Sequence, residues 1–574
     1  MLFPTVEFGV FFVIVFTGNW LLRPFNTAWR WFILAASCYF YNYWNYGRAD
    51  EVYLQVGPVS VSKYLLLFLF IVAMNWAFGE GVLRSVGADG EKTGASRQLV
   101  RVAVVANLLI LGYFKYTNFF LDSTVNVVGA GWSFDDIILP IGISFIVFQA
   151  MGYVIDLGRG VEARLSLLDM AVYLTFFAHV LAGPIVRATE FGPQIHTNPD
   201  PRRVEYAEAF NLIFRGLFKK VVVSSYLGNQ IVDPVFANPE LYGRWSLLFA
   251  VYGFAIQIYC DFSGYTDIAI GCALLLGIRF PQNFDAPYIA RSVQDFWRRW
   301  HITLSRWLRD YLYIPLGGNR KGDLRTYLNL FLTMFIGGFW HGASWTMLAW
   351  GAIHGIALAV ERVVKERWKP LGLPAPLVAS LQWLMTFNVV CFAWIFFRAS
   401  AEDDKFGTAT TIISGILAPV GVLVLVAGLV AVAVVLIPTF LRIGGVRGPR
   451  RDDEAMPVAP GGGGTATLAP AKERSLALGM SIGLGAVVGV IVLLVVVAGL
   501  PDVVGSSDAM TLLVVVAIVA SIASQFVPPA EVRKAENVFT RLPIAVQAIA
   551  VGLAFLLIDA LGPEGVPEFI YFQF

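Results

Sequence analysis

The chain has 574 residues, of which 57% are hydrophobic and only 14% are charged, and its mean hydropathy is +0.67. Soluble domains carry about 25% charged residues, so this composition excludes an ordinary soluble protein. The net charge of +2 gives no support to a nucleic-acid-binding function. The four cysteines lie in apolar segments without paired spacing, which favours packing roles over a disulfide framework or a metal site.

Apolar stretches long enough to cross a bilayer recur along the chain, and by the length of about 20 residues that a span requires we count about fourteen candidates. The first, MLFPTVEFGVFFVIVF, lacks a basic n-region and a cleavage site and is interpreted as a retained span. The sequence therefore predicts an all-α polytopic integral membrane protein. The clearest candidates are Ile137–Leu157, Leu247–Leu276, Leu377–Phe397, Ile412–Leu436, Leu476–Leu500 and Ile544–Leu561; weaker ones are Val6–Leu22, Trp29–Tyr43, Lys63–Trp76, Leu99–Phe114, Leu167–Val186 and Ala209–Val223.

A stretch rich in Gly, Pro and Ala divides the chain into three regions. Residues 1–441 form a transmembrane body, residues 442–475 a flexible linker, and residues 476–574 a transmembrane tail. Basic residues cluster in the linker and in Arg533–Arg541, so the positive-inside rule predicts that both are cytoplasmic. The end of the chain, VPEFIYFQF, is then expected on the outer side.

The segment Ala290–Arg325, ARSVQDFWRRWHITLSRWLRDYLYIPLGGNRKGDLR, carries eight basic and three acidic residues, a net charge of +5, and is predicted at the cytoplasmic face. Apolar residues recur in it at helical spacing from Trp297 to Tyr311. This pattern predicts a continuous amphipathic helix lying in the membrane interface. His301 falls on the apolar side of that helix.

The stretch GGFWHGASWTMLAWGAIHG, Gly337 to Gly355, places two of the five histidines of the chain among apolar residues. On a continuous helix His341 and His354 would lie roughly 140° apart, so we expect them not to face one site. His341 and His301 are the better pair, because they come from different elements. Glycines beside His341 permit close backbone approach or an interrupted helix.

Imidazole offers a base near neutral pH, and taking a proton from a hydroxyl that attacks an acyl group is a common use of it. The sequence has no H-x-x-x-H or cysteine cluster typical of a metal site. General-base acyl transfer is therefore the chemistry that the residue types favour.

Several long motifs closely resemble the membrane-bound O-acyltransferase (MBOAT) family, in particular its bacterial branch of alginate O-acetyltransferase membrane subunits. They are QDFWRRWHITLSRWLRDYLYIPLGGNRKG, GGFWHGASWTMLAWGAIHG, YCDFSGYTDIAIGCALLLGIRFPQNFDAPY, LAGPIVRATEF and the terminal FIYFQF. The resemblance implies a ring of tilted helices with interfacial and re-entrant helices. It also implies an acyl-CoA donor, usually acetyl-CoA, and an extracytoplasmic polysaccharide acceptor or its carrier.

The resemblance also implies roles for individual residues. The catalytic histidine of the family corresponds to His341 and its second position to His301. We assign no role beyond packing to His354, His179 and His196. A separate extracytoplasmic SGNH-hydrolase-like transferase is the expected partner, and the inner or plasma membrane is the expected location.

Four arginines of the basic segment have two interpretations. They either anchor an interfacial helix or hold CoA phosphates at the cytoplasmic mouth, since guanidinium groups suit phosphate geometry. They are Arg298, Arg299, Arg306 and Arg309. Asp261 and Asp267, in an apolar segment, are interpreted as partners of buried arginine or tyrosine groups rather than as catalysts.

Tyr571 in the terminal FIYFQF is either an aromatic anchor at the membrane interface or an acyl relay. A phenol ester is activated relative to an alkyl ester, so a phenol can take an acyl group from a thioester and pass it to a sugar hydroxyl. Two alternatives remain open: acceptors such as peptidoglycan, teichoic acid or a glycolipid, and a transporter or flippase. The second would predict inverted repeats, which the sequence does not show.

Overall fold

The structure is a computed structural model of the chain. It describes residues 3–44, 53–56, 59–85, 93–128, 137–181, 183–367, 374–417 and 508–527, with a few single positions between 539 and 558 and residues 569–570. The predicted linker at 442–475, most of the tail and Tyr571 lie outside the described residues.

The described chain is almost entirely helical, with one antiparallel hairpin that pairs Tyr53 with Ser62. In chain order the elements are α1 (Val6–Leu22), α2 (Asn26–Trp44), β1 (Tyr53–Val56), β2 (Val59–Ser62), α3 (Lys63–Arg84), α4 (Gly94–Val128), α5 (Ile143–Gly158), α6 (Leu167–Thr175), α7 (Ala188–Ile195), α8 (Tyr206–Leu217), α9 (Ser225–Leu227), α10 (Asp233–Ala237), α11 (Arg244–Leu275), α12 (Val293–Arg299), α13 (Ile302–Leu308), α14 (Asp323–His341), α15 (Trp345–Arg367), α16 (Ala375–Ala399), α17 (Lys405–Leu417) and α18 (Asp508–Ser524). Short 3₁₀ turns lie at Pro201–Arg203, Pro239–Leu241 and Pro287–Ile289, and π-helical turns at Phe218–Ser224, Gly228–Val232 and Arg309–Tyr313.

Five of the described helices, α3, α4, α11, α15 and α16, are long and apolar enough to cross a membrane, and α1, α5 and α18 are shorter apolar helices. The predicted class, an all-α polytopic membrane protein, is confirmed. The predicted span Leu167–Val186 is wrong, because α6 ends at Thr175 and the chain then passes through Gly183 and Pro184 without regular helix.

The helix α11 forms the centre of the bundle. Within its apolar window 83% of the residues are buried, against 17–44% for the four other spanning helices. Its two carboxylates are paired: Asp267 bonds Arg215 and Lys219, and Asp261 bonds the buried Lys220. Both carboxylates therefore have partners as predicted, although the partner of Asp261 is a lysine rather than an arginine or tyrosine and Arg215 is partly exposed.

The predicted continuous interfacial helix from Trp297 to Tyr311 is wrong. The helix α12 ends at Arg299, Trp300 is extended, and His301 has a φ of 42°, in the left-handed region. A left-handed residue reverses the helical twist, so α13 starts in a new direction. Of the apolar residues in the pattern, Trp297, Trp300 and Leu304 are buried. The helical spacing therefore identified residues that are buried, but it did not reveal that the helix is broken at His301.

Glycines bring α14 and α15 into backbone contact. A Cβ atom on Gly338 would lie 2.4 Å from the carbonyl oxygen of Met347, and one on Gly351 would lie 2.5 Å from that of Met334. Close approach of small residues is a common way to pack helices in a membrane. This contact fixes the distance between the two helices on either side of His341.

We expect Gly351→Ala to destabilise the protein by about 1–3 kcal/mol, because the added methyl group overpacks the α14–α15 contact. Thermal unfolding in detergent, followed by size-exclusion chromatography, measures the change. Gly112→Ala on α4 is the matched control, since no atom lies within 4 Å of the added Cβ there. Equal melting temperatures for the two variants would contradict the assigned packing.

Candidate active site

His301 is held at the bend between α12 and α13 by a single amide. Its Nδ1 lies 3.1 Å from Oδ1 of Asn283, and the same oxygen accepts the backbone N–H of Thr303 at 3.2 Å. A backbone N–H can only donate, which identifies the Asn283 atom as the oxygen and makes Nδ1 of His301 the donor. The lone pair of a neutral His301 therefore lies on Nε2, a fully buried atom with no partner among the described residues.

His341 is the last residue of α14 and is 5% exposed. Its ring lies edge-on to Trp350, 5.1 Å between centroids, and is bordered by Trp340 at 4.9 Å and Phe397 at 5.7 Å. Aromatic side chains of three helices thus exclude water from around the imidazole. A base in such a site meets its substrate without competing solvent.

The expectation that His341 and His354 face different sites is wrong, because the helix between them is interrupted. Gly342 is extended and α15 begins only at Trp345, so the two histidines lie on separate helices of a hairpin. Both contact the ring of Trp350, His354 at 4.9 Å. Nδ1 of His354 accepts the indole N–H of Trp297 at 3.3 Å, which gives this histidine a packing contact.

The structure brings His301 and His341 to the same aromatic cluster. Phe145 lies 6.5 Å from the ring of His301 and 5.7 Å from Trp340, which borders His341. The two imidazoles are thus linked through the rings of Phe145 and Trp340. Their pairing from separate elements agrees with the geometry, while their catalytic roles remain a prediction.

The other two histidines lie elsewhere. His179 is buried among aromatic rings, the nearest being Phe280 at 5.4 Å, and His196 is half exposed with Nε2 3.2 Å from Asp169.

Three of the four arginines proposed for CoA already make salt bridges: Arg299–Asp295 at 3.1 Å, Arg306–Glu190 at 2.8 Å and Arg309–Asp310 at 2.6 Å. Arg298 is exposed. Burial alone would raise the pKa of the Asp310 carboxyl, but hydrogen bonds and charge from Arg309 and Arg187 outweigh it and lower that pKa. We call these four arginines, three of them paired with carboxylates, the cationic rim.

A narrow cavity lies next to Arg187, which pairs with Asp310. Arg187 and Tyr311 line one part of it, and Gln149 and Phe148 another. Phe148 stacks on Trp307 at 3.7 Å and lies 5.0 Å from Trp340, the neighbour of His341. One layer of aromatic rings therefore separates the cavity from His341.

The end of the chain is anchored beside His301. The backbone N–H of Ile570 donates to Oδ2 of Asp261 at 2.9 Å, and Oδ1 of the same carboxylate bonds Lys220. Phe569 is fully buried, with its ring 5.5 Å from Phe262, which itself lies 4.7 Å from His301. Residue 571 therefore follows directly after an anchored pair, although Tyr571 itself lies outside the described residues.

Sequence reasoning missed Asn283 and Lys115. Asn283 lies within a family-like motif and orients His301, but a single polar residue in a loop gives no sign of its partner. Lys115 was detectable, because it is a charged residue in the predicted span region of α4 and such residues are costly at membrane depth.

Comparison with known proteins agrees with this arrangement. The model of the membrane-bound O-acyltransferase family matches residues 154–401, which include both His301 and His341. A probable alginate O-acetylase, AlgI, of Pseudomonas aeruginosa is 40% identical over 410 residues, covering 70% of this chain and 72% of the relative. A peptidoglycan O-acetyltransferase of Helicobacter pylori is 35% identical, covering 70% and 77% respectively.

A more distant relative is the teichoic acid D-alanyltransferase of Streptococcus thermophilus, which is 28% identical over 289 residues, or 46% of this chain and 70% of the relative. The family match and the named relatives define a membrane-embedded acyltransferase. The chain belongs to the membrane-bound O-acyltransferase family.

We expect Asn283→Ala to lower the turnover number for acyl transfer by about 10²-fold, because His301 loses the acceptor that fixes its ring and tautomer. Turnover per folded molecule in detergent-purified protein measures the effect. Gln282→Ala, at an exposed neighbour that bonds only the carbonyl of Phe284, is the control. Wild-type turnover in Asn283→Ala would show that the orientation of His301 is unimportant.

Proposed function

We propose that the protein is an O-acetyltransferase of a bacterial inner or plasma membrane. It transfers an acyl group from cytoplasmic acyl-CoA, in the first instance acetyl-CoA, to a hydroxyl of an extracytoplasmic polysaccharide or its carrier. The names of the alginate and peptidoglycan relatives support O-acetylation of an envelope polymer. An SGNH-hydrolase-like transferase outside the membrane is the proposed partner for the final transfer.

The observation that carries the proposal is the buried pair of His341 and His301 in a water-excluding aromatic cluster. His341 removes the proton from the attacking hydroxyl, whose oxygen forms a bond to the thioester carbonyl carbon. The carbon–sulfur bond then breaks and the thiolate of CoA takes up a proton. The enzyme gains and loses no atoms in the cycle.

The donor enters from the cationic rim in this proposal. Arg298 is exposed and available to a phosphate, whereas Arg299, Arg306 and Arg309 reach one by exchanging a carboxylate partner. The pantetheine arm follows the cavity past Tyr311 and Gln149. The thioester then lies next to Trp340 and His341.

Tyr571 is the proposed acyl relay between donor and acceptor. Its phenol oxygen attacks the thioester carbon and releases the thiol of CoA; a sugar hydroxyl then attacks the aryl ester and the phenol is restored. The anchoring of Phe569 and Ile570 beside His301 supports this role, because residue 571 is at most about 3.8 Å of chain from an anchored residue.

We expect His341→Ala to reduce acetyl transfer by about 10²–10⁴-fold, the usual cost of removing a general base. Purified protein with labelled acetyl-CoA, assayed for free CoA and labelled product, gives the rate. His196→Ala, at a half-exposed histidine, is the control and should transfer at the wild-type rate. Undiminished transfer by His341→Ala would remove the proposed mechanism.

The acceptor is then identified by mass analysis of the cell envelope with and without the protein, which separates alginate-like polysaccharide from peptidoglycan, teichoic acid or glycolipid.

We expect Tyr571→Phe to abolish labelling of the protein by acetyl-CoA and transfer to polymer, because the variant lacks the oxygen that carries the acyl group. Labelling is read by mass spectrometry of the C-terminal peptide. Tyr113→Phe, at a residue 57% exposed on α4, is the control. A Tyr571→Phe variant that transfers at the wild-type rate would exclude the relay but leave the role of His341 intact.

A further inference from the structure

The helix that carries His341, α14, ends in the protein interior, where Trp340 and His341 are buried. Its last residues, Phe339, Trp340 and His341, have carbonyl groups that no later turn of α14 can pair, because the chain at Gly342 is extended. Unpaired carbonyls at membrane depth are costly, since no water replaces the missing partner. The end of α14 therefore needs donors from elsewhere in the fold.

Two adjacent side chains of α4 supply those donors. The ammonium of Lys115 bonds the carbonyl of His341 at 2.9 Å and also that of Trp340. The phenol of Tyr116 donates to the carbonyl of Phe339 at 3.2 Å, and its ring stacks on Phe339 at 4.2 Å. All three carbonyls at the end of α14 are thus bonded by one dipeptide on a different helix.

We propose that Lys115 and Tyr116 are positioning residues for His341 and act as a side-chain cap supplied by α4. This proposal rests on His341 being the catalytic base. The carbonyl and the imidazole of His341 share one Cα atom, so fixing the carbonyl restricts the rotation of the backbone that aims the ring. A displacement of about 1 Å in a reacting group can cost about 10²-fold in rate.

The chemistry of the cap favours a positioning role over simple packing. An ammonium in a membrane span is costly, and a neutral donor would satisfy a carbonyl equally well. Lys115 instead places its charge against two carbonyls and 5.7 Å from the ring of Trp340. A cation is also the favourable charge at the C-terminal end of a helix, where the peptide dipoles leave partial negative charge.

The cap comes from outside the part of the chain that the family model matches. That match covers residues 154–401 and includes His341, whereas Lys115 and Tyr116 precede it. The base and the residues that hold it are therefore supplied by different regions of the chain. Substitutions in α4 should alter catalysis without touching the matched region.

The test compares variants of α4 in the full-length protein by steady-state acetyl transfer. We expect Lys115→Met to lower kcat by about 10²-fold with KM for acetyl-CoA unchanged, because the donor site is intact and the base is misaligned. Lys115→Arg, which keeps the positive charge and the hydrogen-bond donors, should have a kcat at least tenfold above that of Lys115→Met. Tyr116→Phe, which removes one hydroxyl, should lower kcat by about fivefold.

Asn107→Leu is the matched control, because Asn107 also lies buried on α4 and bonds Asn75 of α3, away from His341. It should reduce stability but leave kcat at the wild-type value. Wild-type kcat in Lys115→Met, or an equal loss of kcat in Asn107→Leu, would overturn the positioning role. If Lys115→Met does not fold, Lys115→Arg and Tyr116→Phe decide between the same outcomes. An active His341→Ala would instead refute the proposed function itself.

Discussion

The buried end of α14 is the constraint on which the site depends. The break after His341 places the imidazole at a helix terminus, where its backbone is free of the following turn, but it also leaves carbonyls that the bilayer cannot satisfy. The contacts from Lys115 and Tyr116 meet that requirement. Glycines then let α14 and α15 approach closely enough for His341 and His354 to share Trp350.

Near His301, a buried charge pair has a role like that of Lys115 and Tyr116 near His341. The carboxylate of Asp261 lies buried beside Lys220, and its second oxygen accepts the backbone N–H of Ile570. The end of the chain is thus tied to α11 near His301. The polar interaction between Asp261 and Lys220, which stabilises the bundle, therefore also fixes the position of Ile570.

The sequence predicted the class and the family, because composition and long motifs do not depend on exact backbone path. It did not predict the break at His301, and an interrupted helix beside His341 was only one of two interpretations of the glycines there. Helical periodicity assumes a constant 100° rotation per residue, and one left-handed residue at His301 or one extended residue at Gly342 invalidates the angle for everything that follows. The partners of those breaks, Asn283 and Lys115, are 18 and 226 residues away, a separation that no local pattern reveals.

The tautomer of His301 restricts the division of labour between the two histidines. Its Nδ1–H is committed to Asn283, so neutral His301 presents a lone pair at Nε2 and cannot donate a hydrogen bond to a thioester carbonyl. It can accept one, either from the attacking hydroxyl or from an imidazole N–H. His301 is therefore suited to align the nucleophile, and stabilisation of the carbonyl oxygen has to come from another donor of the site. We therefore expect different functions for the two histidines, because the amide oxygen of Asn283 fixes a proton on one of them.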